Sequence, residues 1–257
     1  MGIYNCGSTL AEALDSLLSQ TCQEFKVIMC DDGSTDNTPA IAQGYADRHP
    51  NKFILIKNDC NMGLNYTLNR CLEYADTEYI ARMDGDDISL PERFTKEISF
   101  LDEHPEYAVV SVPMIYFDEK GDFRTGSGNG EVKAKDFING NPCCHAPCMA
   151  RTDVFKAVGG YSVGERLLRL EDYHLWFKIF AAGYKLYMLN EPLYKMRDDR
   201  NAVARRNWMN RRNEAYVKHI GYNMIGLPWW VQIFSIVPIL KYFTPTFIYN
   251  YFHYKKN

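Results

Sequence analysis

Three carboxylates fall within four residues at Asp84-Gly85-Asp86-Asp87, directly after a β-rich run, Glu78 to Met83. Like charges held this close repel one another unless a cation sits between them. Carboxylate oxygens are hard donors that suit Mg²⁺ or Mn²⁺, ions that keep open positions for phosphate oxygens. An Asp-Gly pair is also ordinary turn chemistry, so a solvated acidic turn is the alternative. A second acidic loop, Asp31-Asp32-Gly33-Ser34-Thr35-Asp36, follows another apolar run, Phe25 to Cys30. A third acidic pair, Glu171-Asp172, opens a helical pattern, where the helix dipole by itself favours acids. The group Cys143-Cys144-His145-Ala146-Pro147-Cys148 has metal-compatible residue types but lacks paired C-x-x-C spacing, and structural packing is the better reading.

The elements that must carry these acids alternate between strand and helix over the first two-thirds of the chain, which predicts a largely parallel sheet covered by helices. Thr9-Leu-Ala-Glu12 has the form of a capping box, opening a helix with Leu10, Leu14, Leu17 and Leu18 on one face. Thr38-Pro39 reads as cap plus first turn, Phe53 to Lys57 as a strand, Gly63 to Ala75 as a helix. Pro91 starts a helix running to about Glu103, and Tyr107 to Val112 is a further strand. Phe117 to Gly140 is Gly-rich and polar, a surface excursion or hairpin. Thr152 to Val158 and Glu171 to Ala181 read as helices, and Tyr184 to Leu189 as a last strand. Two acidic loops should therefore lie at the carboxyl edge of one sheet, where open α/β sheets bind ligands.

At 257 residues the chain accommodates one large α/β domain or two small ones. Its net charge of −3 gives no overall field for a polyanion, so a nucleic-acid partner is not expected; Lys195 to Arg212 holds the one basic patch. The eight scattered cysteines, with no long apolar secretory segment ahead of them, read as reduced thiols in the cytoplasm. From Met224 to Tyr254 the character changes: aromatic and aliphatic residues crowd a segment broken by Pro228, Pro238 and Pro245 and closing on Lys255-Lys256. Its apolar runs are too short for a span of about 20 residues. Tryptophans and tyrosines with flanking lysines suit a helix pair lying on a bilayer surface, with a subdomain packed on the core as the alternative.

Tyr4-Asn5, Gln20-Thr21, Asp31 to Asp36, Asn61-x-Gly63, Glu78-Tyr79-Ile80-Ala81, Asp84 to Asp87, Pro91-x-Arg93 and Glu171-Asp172 stand in one order and spacing. In that order the sequence resembles the family 2 glycosyltransferases over about residues 1–200, most of all the bacterial capsule and exopolysaccharide members. The resemblance implies the GT-A nucleotide-sugar fold over 1–200, followed at 201–257 by a basic linker and a helical, aromatic-rich extension. It implies an inverting enzyme that moves a sugar from a nucleotide sugar, with UDP the expected carrier, to a hydroxyl of a glycan or lipid-linked acceptor at the inner membrane face.

Residue by residue, the resemblance places Tyr4 and Asp32 at the nucleobase, the ring stacking on uracil and the carboxylate accepting its imide hydrogen. Asp84 and Asp86 match the Asp-x-Asp motif that touches the ribose and coordinates Mn²⁺ or Mg²⁺ on the diphosphate, with Asp86 the foremost ligand. Asp87 is left as a supporting carboxylate or a helix cap. Asp172, the second acid of the Glu171-Asp172 pair, matches the general base that deprotonates the acceptor hydroxyl. Many relatives carry a histidine after the final strand; here Tyr194 to Arg200 has none, and Arg197 is the expected substitute, able to bind diphosphate oxygens but not a metal. His145 falls where relatives line the acceptor pocket, a satisfied structural histidine being equally compatible. Arg205-Arg206 and Arg211-Arg212 suit anionic headgroups, a phosphorylated acceptor or simply solvent.

Two other functions fit parts of the pattern. A sugar-nucleotide-forming nucleotidyltransferase would need a basic Gly-rich triphosphate loop, which Met-Gly-Ile-Tyr-Asn does not supply. A catalytically silent nucleotide-sugar-binding protein would not need Asp32, Asp84, Asp86 and Asp172 together. Only Met1-Gly2-Ile3 precedes Tyr4-Asn5, so the first strand is expected to be short of its apolar residues, leaving ladder hydrogen bonds unmade.

Overall fold

Leu10, Leu14 and Leu17 recur at helical spacing, and the computed structural model, which describes residues 1–198 and 207–243, buries all three on one face of α1 (Leu10–Leu18). Before it lies β1 (Gly2–Ile3); after it come β2 (Val27–Asp31), α2 (Thr38–Arg48), β3 (Phe53–Lys57) and α3 (Leu64–Leu72). Next are β4 (Tyr79–Ala81), β5 (Ile88–Ser89), α4 (Arg93–Glu103), β6 (Tyr107–Ser111), β7 (Met114–Asp118), β8 (Gly121–Thr125) and β9 (Gly130–Glu131). The chain continues through α5 (Asp136–Asn139), β10 (Met149–Arg151), α6 (Thr152–Ala157), α7 (Glu171–Ala181), β11 (Lys185–Met188) and β12 (Tyr194–Arg197). The last described elements are α8 (Trp208–Met224), a 3₁₀ run over Trp229–Ser235, and α9 (Val237–Phe243). Arg205-Arg206 and the segment from Phe247 to Lys256 lie outside the described residues.

The chain divides into two units. The first comprises Met1–Val132, Cys143–Tyr161 and Tyr184–Arg197. It holds the α/β sheets. β1, β2 and β3 form a parallel sheet, with Gly2 opposite Cys30 and Val27 opposite Phe53. A second sheet has the order β4-β10-β6-β11-β9. It is mixed: β6 and β11 run parallel, whereas β10 enters between β4 and β6 antiparallel to both. The parallel arrangement expected from sequence is thus that of the first sheet, and β10 is too short, at three residues, to announce its reversal. A smaller sheet, β5-β12-β7-β8, contains the β7–β8 hairpin and sets β12 beside β5, just past the Asp84–Asp87 loop. Ile3, Leu10, Leu14, Met29, Val110 and Tyr194 lie at the centre of the core.

No ladder joins β2 to β4 among the described residues. Between them lies a cavity of about 310 Å³ lined by Phe25, Val27, Ile28, Tyr79, Ala81 and Met83, with Met1 at its border. The Met1 amino group donates to Ile28 O at 2.7 Å and Cys30 N donates to Met1 O at 2.9 Å, so the β1–β2 ladder runs up to the cavity mouth.

The second unit comprises Lys133–Pro142, Ser162–Gly183 and Asp198–Asn257. Its division from the first falls inside the 1–200 span, so α7 and Asp172 belong with the C-terminal segments. Aromatic packing explains the grouping. Phe137 of α5 and Phe177 of α7 have ring centroids 4.7 Å apart, Tyr222 of α8 meets Phe177 edge-on at 6.0 Å, and the Lys218 amine donates to Ile138 O.

Candidate active site

The carboxyl edge of the first unit gathers three loops by side-chain hydrogen bonds. Asn5, in the left-handed region at φ 47°, receives Thr35 N on its side-chain oxygen at 2.9 Å, while Asn5 N donates to Ser34 Oγ. The Cys6 and Gly7 amides donate to Thr38 Oγ1 and Asp36 Oδ2. Thr9 does not close the expected capping box: its hydroxyl turns away from the helix and donates to Gly85 O at 3.0 Å. That bond ties the β1–α1 loop to the acidic loop. Gly85 is required by space, since a Cβ there would stand 2.7 Å from Cys6 Sγ.

Asp32 is buried, and its carboxylate is already well used. Oδ1 accepts from Asn58 Nδ2 at 2.7 Å and Met62 N at 2.8 Å, and Oδ2 accepts from Gly63 N at 2.9 Å. A carboxylate has about four lone-pair sites, so one remains for a ligand. Gly63 makes this possible by adopting φ 86°, a conformation costly for any residue with a side chain. Asn58, held in turn by Arg70, escaped the sequence reading. Tyr4 stands on the loop after β1 with its ring half exposed.

Asp84, Asp86 and Asp87 come together: one carboxylate oxygen from each lies within 4.8 Å of the others. Arg82 and Asp84, two residues apart on an extended segment, point the same way, and the guanidinium grips the carboxylate with both ends. That alternation was a usable signal in the sequence. Burial, the largest single influence, opposes the Arg82 charge, but Asp84 together with Tyr194, Tyr161 and Cys148 outweighs it, and the guanidinium pKa is raised. Asp87 is buried, accepting from the Tyr194 hydroxyl at 2.9 Å and from Arg197 N at 2.8 Å. Burial, then the charges of Asp84 and Asp86, push its carboxyl up to about 8. Asp86 is the exposed member, its carboxyl raised by the surrounding protein and by Asp84.

Behind the loop, Arg93 donates to Glu97 and to Arg82 O, with no solvent exposure. The Gln20 amide bridges Leu90 O and Phe94 N. Arg197 lies beside the acids, but its guanidinium is engaged by Asp86 O, by Glu12 and by the Phe117 face 4.5 Å away. Glu12 was not anticipated as its partner. His145 is buried with Nε2 2.8 Å from Tyr161 OH, and burial, aided by the Arg82 charge, holds its pKa well below the ordinary value. It is a neutral, hydrogen-bonded histidine in this structure.

In the second unit, Glu171 and Asp172 occupy the first turn of α7. Asp172 Oδ2 accepts from Asn141 Nδ2 at 2.5 Å and Oδ1 from Tyr173 N at 2.7 Å. Both are half-buried.

The donor set at Asp84, Asp86 and Asp87 is all oxygen, with no thiolate or imidazole among the clustered ligand atoms, which fits a hard divalent cation such as Mn²⁺ or Mg²⁺. The parallel three-stranded sheet, the mixed second sheet and the flanking helices are those of the GT-A fold. The Staphylococcus aureus TarS 1-349 structure in complex with UDP-GlcNAc shares this fold, at TM-score 0.69 and 18% identity over 94% of this chain and 69% of that one. The chain belongs to glycosyl transferase family 2, whose model matches residues 1–159. It is 38% identical over its whole length to the Bacillus subtilis glycosyltransferase EpsE, covering 92% of that protein. To the amylovoran biosynthesis glycosyltransferase AmsE of Erwinia amylovora it is 33% identical, over 77% of this chain and 74% of AmsE. The protein is therefore a glycosyltransferase.

Proposed function

We propose that this glycosyltransferase is an inverting, metal-dependent enzyme. It moves a sugar from a UDP-sugar to a hydroxyl of a glycan or lipid-linked acceptor in cell-surface polysaccharide synthesis. The observation that carries the reading is the convergence of three carboxylates on one point at the sheet edge. The family, the amylovoran role of AmsE and the UDP-GlcNAc bound by the shared TarS fold support it.

In this reading Tyr4 stacks on the base, and the free lone pair of Asp32 accepts the imide hydrogen. Asp86 and Asp84 hold a divalent ion, which when bound neutralises charge on the departing diphosphate. Asp84 is shared with Arg82, so Asp86 offers the more accessible oxygens. Arg197, once released from Glu12, supplies a further cation to the diphosphate. Asp172 takes the proton of the acceptor hydroxyl as it attacks the anomeric carbon on the face opposite the diphosphate. Asn141 fixes one Asp172 oxygen and orients the carboxylate. Glu171 flanks it in the first helical turn, and His145, held by Tyr161, is assigned to the acceptor pocket by the family resemblance alone.

Calorimetric titration with UDP tests this. Binding should require Mn²⁺ or Mg²⁺ and be lost in Asp86→Ala; metal-independent binding unaffected by that change removes the metal assignment. A screen of nucleotide-sugar hydrolysis separates UDP from GDP and TDP donors without an acceptor.

A further inference from the structure

In the second unit the 3₁₀ run Trp229–Ser235 and α9 carry apolar residues on both faces. Val231, Ser235 and Pro238 point inward and are buried. Trp229, Ile233, Ile236, Leu240 and Phe243 are 85, 66, 49, 62 and 69% exposed, and Trp230 and Phe234 are exposed as well. The three-residue period of the 3₁₀ run sets Trp230 and Ile233 in line. Proteins in water seldom leave large apolar side chains exposed at this density.

The chemistry of the surface selects its occupant. Pro228 to Leu240 contains no charged residue, and its one amide side chain, Gln232, is engaged by Asn223 and His219. Protein interfaces carry about one hydrogen bond per 100–200 Å². The surface offers only the amphipathic tips of Trp229 and Trp230, a residue type favoured at headgroup depth. Charge points the same way. From Arg200 to Asn257 nine Lys and Arg accompany a single acid, Glu214, in a chain of net charge −3. Beyond Phe243 the sequence adds Phe247, Ile248, Tyr249, Tyr251, Phe252 and Tyr254 before Lys255-Lys256. No helix among the described residues is long and apolar enough to cross a membrane.

We propose that the exposed apolar surface of Trp229, Ile233, Ile236, Leu240 and Phe243 is a docking surface for an anionic lipid bilayer, lying in the headgroup plane with the exposed Arg212 and Lys241 available to the lipid charge. The proposal does not depend on the donor or metal assignments.

Flotation of the full chain with vesicles of phosphatidylglycerol and phosphatidylcholine tests it. Wild-type protein should rise with mixed vesicles and do so more weakly with phosphatidylcholine alone. Trp229→Ser combined with Ile233→Ser and Leu240→Ser, all at exposed positions and therefore expected to melt as wild type, should lower partitioning by at least about tenfold. Trp229→Ser alone should give an intermediate loss, so the series remains readable if the triple variant is poorly folded. Wild-type protein that stays at the bottom of the gradient, or variants that float as well as wild type, overturn the proposal. So does a wild-type dimer that the triple variant converts to monomer without any lipid binding, which would make the surface a contact between copies of this chain.

Discussion

The Tyr194 hydroxyl donates to Asp87 Oδ2 at 2.9 Å and accepts from Asp84 N at 3.2 Å, so one phenol on β12 spans both ends of the acidic loop. The ring is fully buried and lies under the Arg93 guanidinium, 5.1 Å from its centroid. The acidic loop is thus braced from a strand 107 residues further along the chain.

Tyr194→Phe keeps the ring and removes that brace, leaving Asp87 without one of its two donors. A buried acceptor that loses its partner costs about 1–3 kcal/mol. The melting temperature should fall and the Mn²⁺ affinity measured by calorimetry should drop, with UDP affinity falling only in the presence of metal. Unchanged metal affinity would separate the brace from the cation site.

Asp87 makes stability depend on pH in a defined sense. Its carboxyl titrates near 8 when folded, against an ordinary value of 3.8. The folded state therefore binds the proton more tightly than the unfolded state. The resulting stability is complete below about pH 4 and declines as pH rises toward 8. Glu97, also raised to about 8 by burial, contributes in the same direction. Wild-type melting temperature should fall from pH 5 to pH 8.5, and Asp87→Asn should flatten that slope. An equally steep slope in the variant assigns the effect elsewhere.

Asp172→Asn should leave donor binding intact and reduce transfer by about 10²-fold or more, the size expected for loss of a general base. UDP titration and a transfer assay on the same preparation check both halves. Wild-type turnover in the variant would refute the role.

Filling the cavity between β2 and β4 should stabilise the protein. Four apolar residues added ahead of Met1 would continue the rungs made by Met1 with Ile28 and Cys30. Burying one such side chain contributes about 1.5–3 kcal/mol, and each kcal/mol is about 2–4 °C at this size. A Gly-Ser extension of the same length is the control; equal melting temperatures for the two extensions would overturn the prediction.

The delivery of Asp31-Asp32 and Asp84 to Asp87 into Gly-containing turns was legible from strong strand runs, but the single sheet expected beneath them is two, β2 in one and β4 in the other. The α7 start at Glu171 and the Pro39 first turn were read from local chemistry alone. What escaped was held by distant partners. β10 and β12 have three and four residues, too few for a periodic signal, yet β12 carries Tyr194 and Arg197 to the acids. Thr9 had the residue types of a capping box, and the Gly85 carbonyl competed successfully for its hydroxyl. Asn58 became legible only when the fold brought it to Asp32.

The cavity has a mechanical consequence. Among the described residues no hydrogen-bond ladder crosses the open space of about 310 Å³ between β2 and β4, so no backbone bonds clamp these two strands to each other. Under mechanical load that seam is where the first unit should part first, and a chain with a paired strand filling the space should withstand more force.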